Sequence, residues 1–214
     1  MSTETLTRTT SPRRVGYVAL ALALTALAAI PGGLLWPEPS GSGHTYSYAD
    51  IQPHRALWWG LLVGLAANLV INVPAQALLT VLLVRARGAA WATVGGIIMW
   101  IGTALYAVGV GGWASAYYFA TAPGVDPSVI ERVNDDPAHI FAVMISGSLL
   151  VALGTVIQAV GLWRSAAVPR WIPVLWLTIV ATFVVSGNGV AGLITALPMT
   201  AAGLGTAYYA WKKL

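Results

Sequence analysis

The chain contains no cysteine. That excludes disulfides, thiolate metal sites, iron–sulfur clusters and cysteine nucleophiles, and it leaves the redox compartment open. Charge is nearly as scarce. Lys, Arg, Asp and Glu make up 8% of the 214 residues, where soluble domains carry about 25%. So few charges cannot cover the surface of a soluble fold this size, and the soluble enzyme classes fall together. The apolar runs hold no Asp, Glu, Lys, Arg or His at mid-depth. Ionisable groups inside a membrane mark proton relays and ion paths. Their absence argues against a carboxylate-driven transporter, and against a retinal protein, because the only lysines are Lys212 and Lys213. It also removes a mid-membrane bis-histidine haem.

What is present is hydrophobic. Apolar residues reach 57% and the mean hydropathy is +0.75. The composition predicts an all-α polytopic transmembrane bundle of six spans. Residues 1–14 read as a polar, disordered tail. Residues 15–36 form the first span, long enough for a hydrocarbon core of about 30 Å. A basic stretch before an apolar run also describes a signal peptide, but the run continues past the small residues Ala26 to Ala29, which favours an uncleaved span. Spans two to four are expected at residues 56–84, 89–120 and 139–163. Residues 171–211 are long enough for two more. Ser186, Gly187, Asn188 and Gly189 break that stretch with strong turn residues, giving a short fifth span at 171–185 and a sixth at 190–211. The fifth reaches about 23 Å as an α-helix, and a re-entrant pair is the alternative. Between spans three and four, Asp126 and Pro127 look like a helix cap and a first-turn proline, so a short surface helix is expected at 127–133.

The few charges are sorted by side. With the N-terminus inside, nine of the eleven basic residues fall on the inner face: Arg8, Arg13, Arg14, Arg85, Arg87, Arg164, Arg170, Lys212 and Lys213. Arg55 and Arg132 lie outside with six of the seven acids. The positive-inside rule then puts both termini in the cytoplasm. The net charge of +4 is read this way and not as a nucleic-acid footprint. The excess of Arg over Lys, with abundant Ala, Gly and Val, points to a GC-rich bacterial genome and hence a plasma (inner) membrane. Eight of the ten tryptophans lie near the two boundaries: Trp36, Trp58, Trp59 and Trp113 outside, Trp91, Trp163, Trp171 and Trp211 inside. That is the pattern of an aromatic belt. Trp100 and Trp176 fall mid-span.

Interior polarity is concentrated in span two. Gly60, Gly64, Asn68, Asn72, Gln76 and Thr80 recur every four residues, which keeps them on one slowly rotating face. Asn68, Asn72, Gln76 and Thr80 are therefore the candidate polar seam. They either line a path for a neutral solute or act as interhelical glue, and the glue reading is preferred. Ser148, Thr155 and Gln158 of span four are candidates to meet the seam. Pro74 and Pro198 free the carbonyls of Val70 and Ile194. Glycine repeats by sevens, at Gly88, Gly95, Gly102 and Gly109 in span three and at Gly147, Gly154 and Gly161 in span four. This predicts close backbone packing.

All three histidines, His44, His54 and His139, fall on the outer side, with Asp50, Asp126, Asp135 and Asp136. His54, His139, Asp135 and Asp136 are the candidate metal ligands, or acid–base groups at a lipid headgroup. No spacing such as HExxH supports them, so a solvated loop is the preferred reading. A surface haem on His54 and His139 is a further alternative. No cofactor is implied.

Leu162-Trp163-Arg164-Ser165 followed by Val168-Pro169-Arg170-Trp171 resembles the linker between spans four and five of a family of uncharacterised bacterial six-span membrane proteins, a domain of unknown function. The resemblance implies the six-span fold and no reaction. Arg85 to Trp91 also matches Arg164 to Trp171 loosely at an offset of 79 to 80, as an internal duplication would. The function expected is a bundle that binds or stabilises another membrane component, with the bilayer and a membrane protein or second copy as partners and no nucleic acid. The alternatives are an outer-leaflet lipid enzyme using the His/Asp set, and a solute facilitator lined by Asn68, Asn72 and Gln76.

Overall fold

The structure, a computed structural model, describes residues 11–37, 39–40, 46–85, 87–183 and 189–213. They are helical, with no strand among them. α1 runs Pro12–Leu34 and α2 Tyr48–Ile51. A 3-10 turn, Gln52–His54, leads into α3, Arg55–Leu83. α4 spans Ala89–Ala120, α5 Ser128–Asp135 and α6 Pro137–Ser165. α7, Trp171–Trp176, passes into a 3-10 helix, Leu177–Phe183, and α8 covers Gly189–Lys212.

Four of these helical stretches are long and apolar enough to cross a membrane: Pro12–Leu34, Tyr48–Leu83, Ala89–Ala120 and Pro137–Ser165. The first starts sooner than the sequence reading placed it. Pro12 sits in the first turn, where its missing N–H breaks no bond, so Arg13 and Arg14 are helical and not part of a tail. The stretch expected as a fifth α-helical span is different in kind. Only Trp171–Trp176 is α-helix, and Thr178, Ile179 and Val180 continue as 3-10. Such β-branched residues lose side-chain freedom in an α-helix. Because 3-10 helix rises about 2.0 Å per residue, the thirteen residues together still extend about 23 Å. The turn at Ser186, Gly187 and Asn188 lies outside the described residues. The two basic linkers that match in sequence therefore lead into unlike elements, the long α4 and the short α7.

The long elements form a ring in chain order. α1 packs on α3, α3 on α4, α4 on α6, α6 on α7, α7 on α8, and α8 back on α1. Each long neighbour is antiparallel, as paired residues show. Thr25 meets Asn72, Trp58 meets Trp113 and Gly16 meets Trp211. This collects Arg85, Arg87, Arg164, Arg170 and Lys213 at one end of the bundle. Asp50, Asp126, Glu131, Asp135 and Asp136 gather at the other.

The α4–α6 contact is the tightest. A Cβ added at Gly95 would lie 2.6 Å from the Gly154 carbonyl oxygen, and one at Gly102 would lie 2.7 Å from that of Gly147. At Gly88 it would lie 2.5 Å from the Gly161 oxygen, and at Gly109 2.5 Å from the Met144 nitrogen. The heptad glycines of the two helices thus face one another in register, backbone on backbone. Gly88 also adopts φ 98°, which L side chains rarely do. Pro74 and Pro198 sit inside α3 and α8 without ending them.

Buried apolar side chains form two cores. One, towards the basic end, joins Leu22, Leu79, Leu162, Ile172 and Trp176. The other, towards the acidic end, joins Tyr46, Ile51, Trp58, Leu62, Tyr117 and Ile130.

Gly102→Ala places its methyl against backbone that cannot turn aside. It is expected to lower stability by about 1–3 kcal/mol, read as a lower melting temperature in detergent. Gly111→Ala meets nothing within 4 Å and is expected to leave the melting temperature unchanged or raised.

Candidate functional site

Three groups of residues carry polarity in this bundle: the seam of α3, the cap at the acidic end, and the basic end. The seam does not remain a single strip. Asn72 donates through Nδ2 to Thr25 Oγ1 at 3.0 Å, and that hydroxyl donates to the Ala21 carbonyl at 2.7 Å. The amide is therefore engaged in holding α3 to α1. Gln76 and Thr80 are buried between helices, while Asn68 is half-buried. Thr80 Oγ1 has no hydrogen-bond partner among the described residues. Gly60 and Gly64, the other members of the repeat, are exposed, and a Cβ at either would meet nothing within 4 Å.

Gln158 of α6 does meet α3, as its position promised. Its Nε2 donates to the Ala92 carbonyl at 3.0 Å and to the Ala77 carbonyl at 3.3 Å, so one side chain ties α6 to α4 and α3. It can reach because Gly95 and Gly96 clear the wall of α4 beside it. Its Oε1 is buried without a partner among the described residues. Thr155 bonds back to the Val151 carbonyl, and Ser148 is half-buried and bonds to the Ile145 carbonyl. Neither joins the seam.

The cap at the acidic end is built from aromatics. Trp58 is 2% exposed, which corrects its reading as a belt residue. Tyr46 lies 4.3 Å from it edge-on, Trp36 5.4 Å and Trp113 5.7 Å, centroid to centroid. Such edge-to-face pairs contribute about 0.5–1.5 kcal/mol each beyond area burial. Trp59, Trp91, Trp163, Trp171 and Trp211 are exposed at the two ends. Of the mid-span pair, Trp100 faces outward and Trp176 is buried, donating to Thr206 Oγ1 at 3.1 Å.

Asn134 joins the rim of the Tyr117 ring to the backbone of Tyr46, while Trp58 Nε1 and Trp113 Nε1 are buried without a partner among the described residues. Asn134 Oδ1 accepts from the Tyr117 hydroxyl at 2.5 Å and its Nδ2 donates to the Tyr46 carbonyl at 3.0 Å. The Tyr46 hydroxyl accepts from Trp36 Nε1 at 3.1 Å and donates to the Pro37 carbonyl at 2.9 Å. α5 is thereby fastened down, with Ile130 fully buried beneath it. Sequence reading passed over Asn134, because an amide in a polar loop carries no signal of its own. The helix it belongs to was expected at 127–133 and is Ser128–Asp135. Pro127 and not Asp126 is its N-cap, and Asp126 Oδ1 accepts from the Ser128 N–H at 2.9 Å, a bond that holds that carboxyl below its usual range. Arg55 lies flat on Tyr118, 3.8 Å from the ring centre, and donates to the Tyr118 carbonyl at 2.7 Å.

The candidate metal ligands are not drawn together by this cap. His139 Nδ1 bonds Asp136 at 2.8 Å, one turn away on an exposed surface. Asp135 ends α5 and His54 ends the 3-10 turn before α3, both exposed. No group of three or more His, Asp or Glu able to hold a metal occurs among the described residues. His44 lies outside them. No protein-family model matches the chain, and neither does any curated protein or solved structure.

Two outcomes follow from this geometry. Asn72→Leu is expected to cost about 0.6–2 kcal/mol and Thr25→Val a similar amount. The double variant should be less destabilised than the sum, in melting curves of the purified protein, because both remove one bond. The second concerns pH. The hydrogen bond from His139 holds the Asp136 carboxyl below its usual range. A depressed carboxyl adds stability above the ordinary Asp value of about 3.9 and loses it as pH falls through the folded value. His139→Ala is expected to move the Asp136 titration upward, followed by NMR of the carboxyl carbon. Both groups are exposed, so the melting temperature should hardly respond.

Proposed function

We propose that this chain is a six-span protein of a bacterial plasma membrane, both termini cytoplasmic, that binds another membrane component through the flank of α3. The sorting of basic residues to one end and acids to the other supports that orientation. The observation that carries the binding reading is the contrast between two sets of glycines. Those at 88, 95, 102 and 109 are pressed against α6, whereas Gly60 and Gly64 have open space where a side chain would be. They stand four apart among Leu57, Trp59 and Val63, all exposed. In a membrane, a small-xxx-small pair lets a second helix approach closely, and association relies on such packing because lipid is as apolar as the helix. We assign the occupant as a transmembrane helix of a partner protein, and the likeness to uncharacterised six-span proteins belongs to the same proposal.

The alternatives have less support. A solute facilitator would need Asn72 and Gln76 facing an open path, and both are occupied or buried at helix contacts. An outer-leaflet enzyme would need more than one His–Asp pair on an exposed surface.

The test is the double variant Gly60→Leu/Gly64→Leu in the full chain, purified from native membrane after cross-linking. The expected result is an unchanged melting temperature with loss of the cross-linked partner. A partner retained in full would exclude this face, and loss only of a self-dimer would make the occupant a second copy.

A further inference from the structure

At the basic end, four helix termini leave a space between them. The start of α1, the ends of α3, α6 and α8, and the linker after α6 enclose a cavity of about 570 Å³, within the range of small-molecule sites. Val15, Leu82 and Leu83 contribute apolar side chains to its lining. Its mouth carries Arg85 and Lys213. Ser165 and the short turn at 166–167 complete the rim, where Ala166 holds φ 49°, a conformation few residues other than glycine adopt.

Among the described residues neither cation has an ion pair. Arg85 has no hydrogen bond or ion pair among the described residues, and every described acid lies at the opposite end of the bundle. The Lys213 ammonium donates once, to the Ala167 carbonyl at 3.0 Å. That contact steadies the side chain over the cavity and leaves two of its three N–H donors unused. The Ser165 hydroxyl accepts from the Ala167 N–H and donates to the Leu162 carbonyl. It is thereby committed to shaping the turn, and the cations are left as the ligand-facing groups. A basic pocket between helices, lined by two cations and a few apolar side chains, matches one ligand chemistry at a membrane surface. This is a phosphate ester with an apolar body attached. Arginine offers paired donors to phosphate oxygens, and lysine a point charge beside them.

We propose that this cavity binds the phosphate headgroup of an anionic phospholipid. Arg85 and Lys213 hold the phosphate, and Val15, Leu82 and Leu83 receive the glycerol and the first carbons of an acyl chain. The site is separate from the α3 flank and stands or falls independently of it.

The experiment uses the full chain in neutral detergent, titrated with phosphatidylglycerol, phosphatidylcholine, or inorganic phosphate. Bound lipid is counted by native mass spectrometry and stability followed by melting. Phosphatidylglycerol is expected to be retained and to raise the melting temperature, with phosphatidylcholine and inorganic phosphate doing neither. Each cation removed near a membrane surface weakens binding by about fivefold. Arg85→Gln and Lys213→Gln should therefore each show that loss, and the pair about 25-fold. Lys213→Arg keeps the charge and should restore binding, which separates the charge from the Ala167 contact. Arg87→Gln with Lys212→Gln removes the same net charge from residues that do not line the cavity, and should leave binding within about twofold. An equal loss in that control pair would mean diffuse attraction to the basic end and overturn the site. Equal response to phosphatidylcholine would overturn the role of the cations. A response to inorganic phosphate matching that to the lipid would overturn the lipid assignment.

Discussion

The approach of α4 to α6, backbone against backbone, is the constraint that organises this bundle. In water two apolar helices are driven together by leaving the solvent, but in lipid that drive is missing. What holds them is contact, and contact improves as the separation falls. Glycine at each seventh position removes the side chains that would keep the axes apart. The match of Gly88 to Gly161, Gly95 to Gly154 and Gly102 to Gly147 sets the register of the pair. Once that register is set, Gln158 lands opposite the Ala92 and Ala77 carbonyls, and α3 is tied to the same unit. The position of α3 in turn places Asn72 against Thr25 of α1.

The two ends of the bundle are finished differently. At the acidic end, large rings pack edge to face, and Asn134 ties α5 to the Tyr117 hydroxyl and the Tyr46 carbonyl, so the short α5 covers that end. At the basic end the helix termini splay around a cavity lined by Arg85 and Lys213, and none of the described acids lies beside them. At the closed end Trp58 Nε1, Trp113 Nε1 and Arg55 Nε are buried without a hydrogen-bond partner among the described residues, and the His139–Asp136 pair is exposed. The open end has Arg85 and Lys213 lining a cavity, without an ion pair among the described residues.

Much of the architecture was legible in the chain. Runs of some twenty apolar residues without charge announce spanning helices, because an unsatisfied backbone is intolerable in lipid and helices satisfy themselves. The seven-residue glycine repeats announced close packing. The short region after Arg170 was harder, since apolar length alone does not separate α-helix from 3-10, and the β-branched Thr178, Ile179 and Val180 shift that balance locally. Trp58 was misplaced for a related reason. Position near a boundary marks a belt residue only if the ring faces outward, and the facing depends on which helix lies next to α3. The metal candidates illustrate the same limit, because His54 and His139 share an end of the bundle but not a site.

By itself, then, the sequence determined the class, the helical periods, the sorting of charge and the glycine faces, all of which are properties of one segment in its solvent. Tertiary structure alone decided which faces meet. It placed Asn72 on Thr25 and Gln158 on two carbonyls, left Gly60 and Gly64 without a neighbour, and brought Arg85 and Lys213 to one cavity from positions 128 residues apart. The reason is physical. Local sequence governs how a helix sits in the bilayer, but lipid is indifferent to which apolar face it covers, so only the packing of the whole ring chooses.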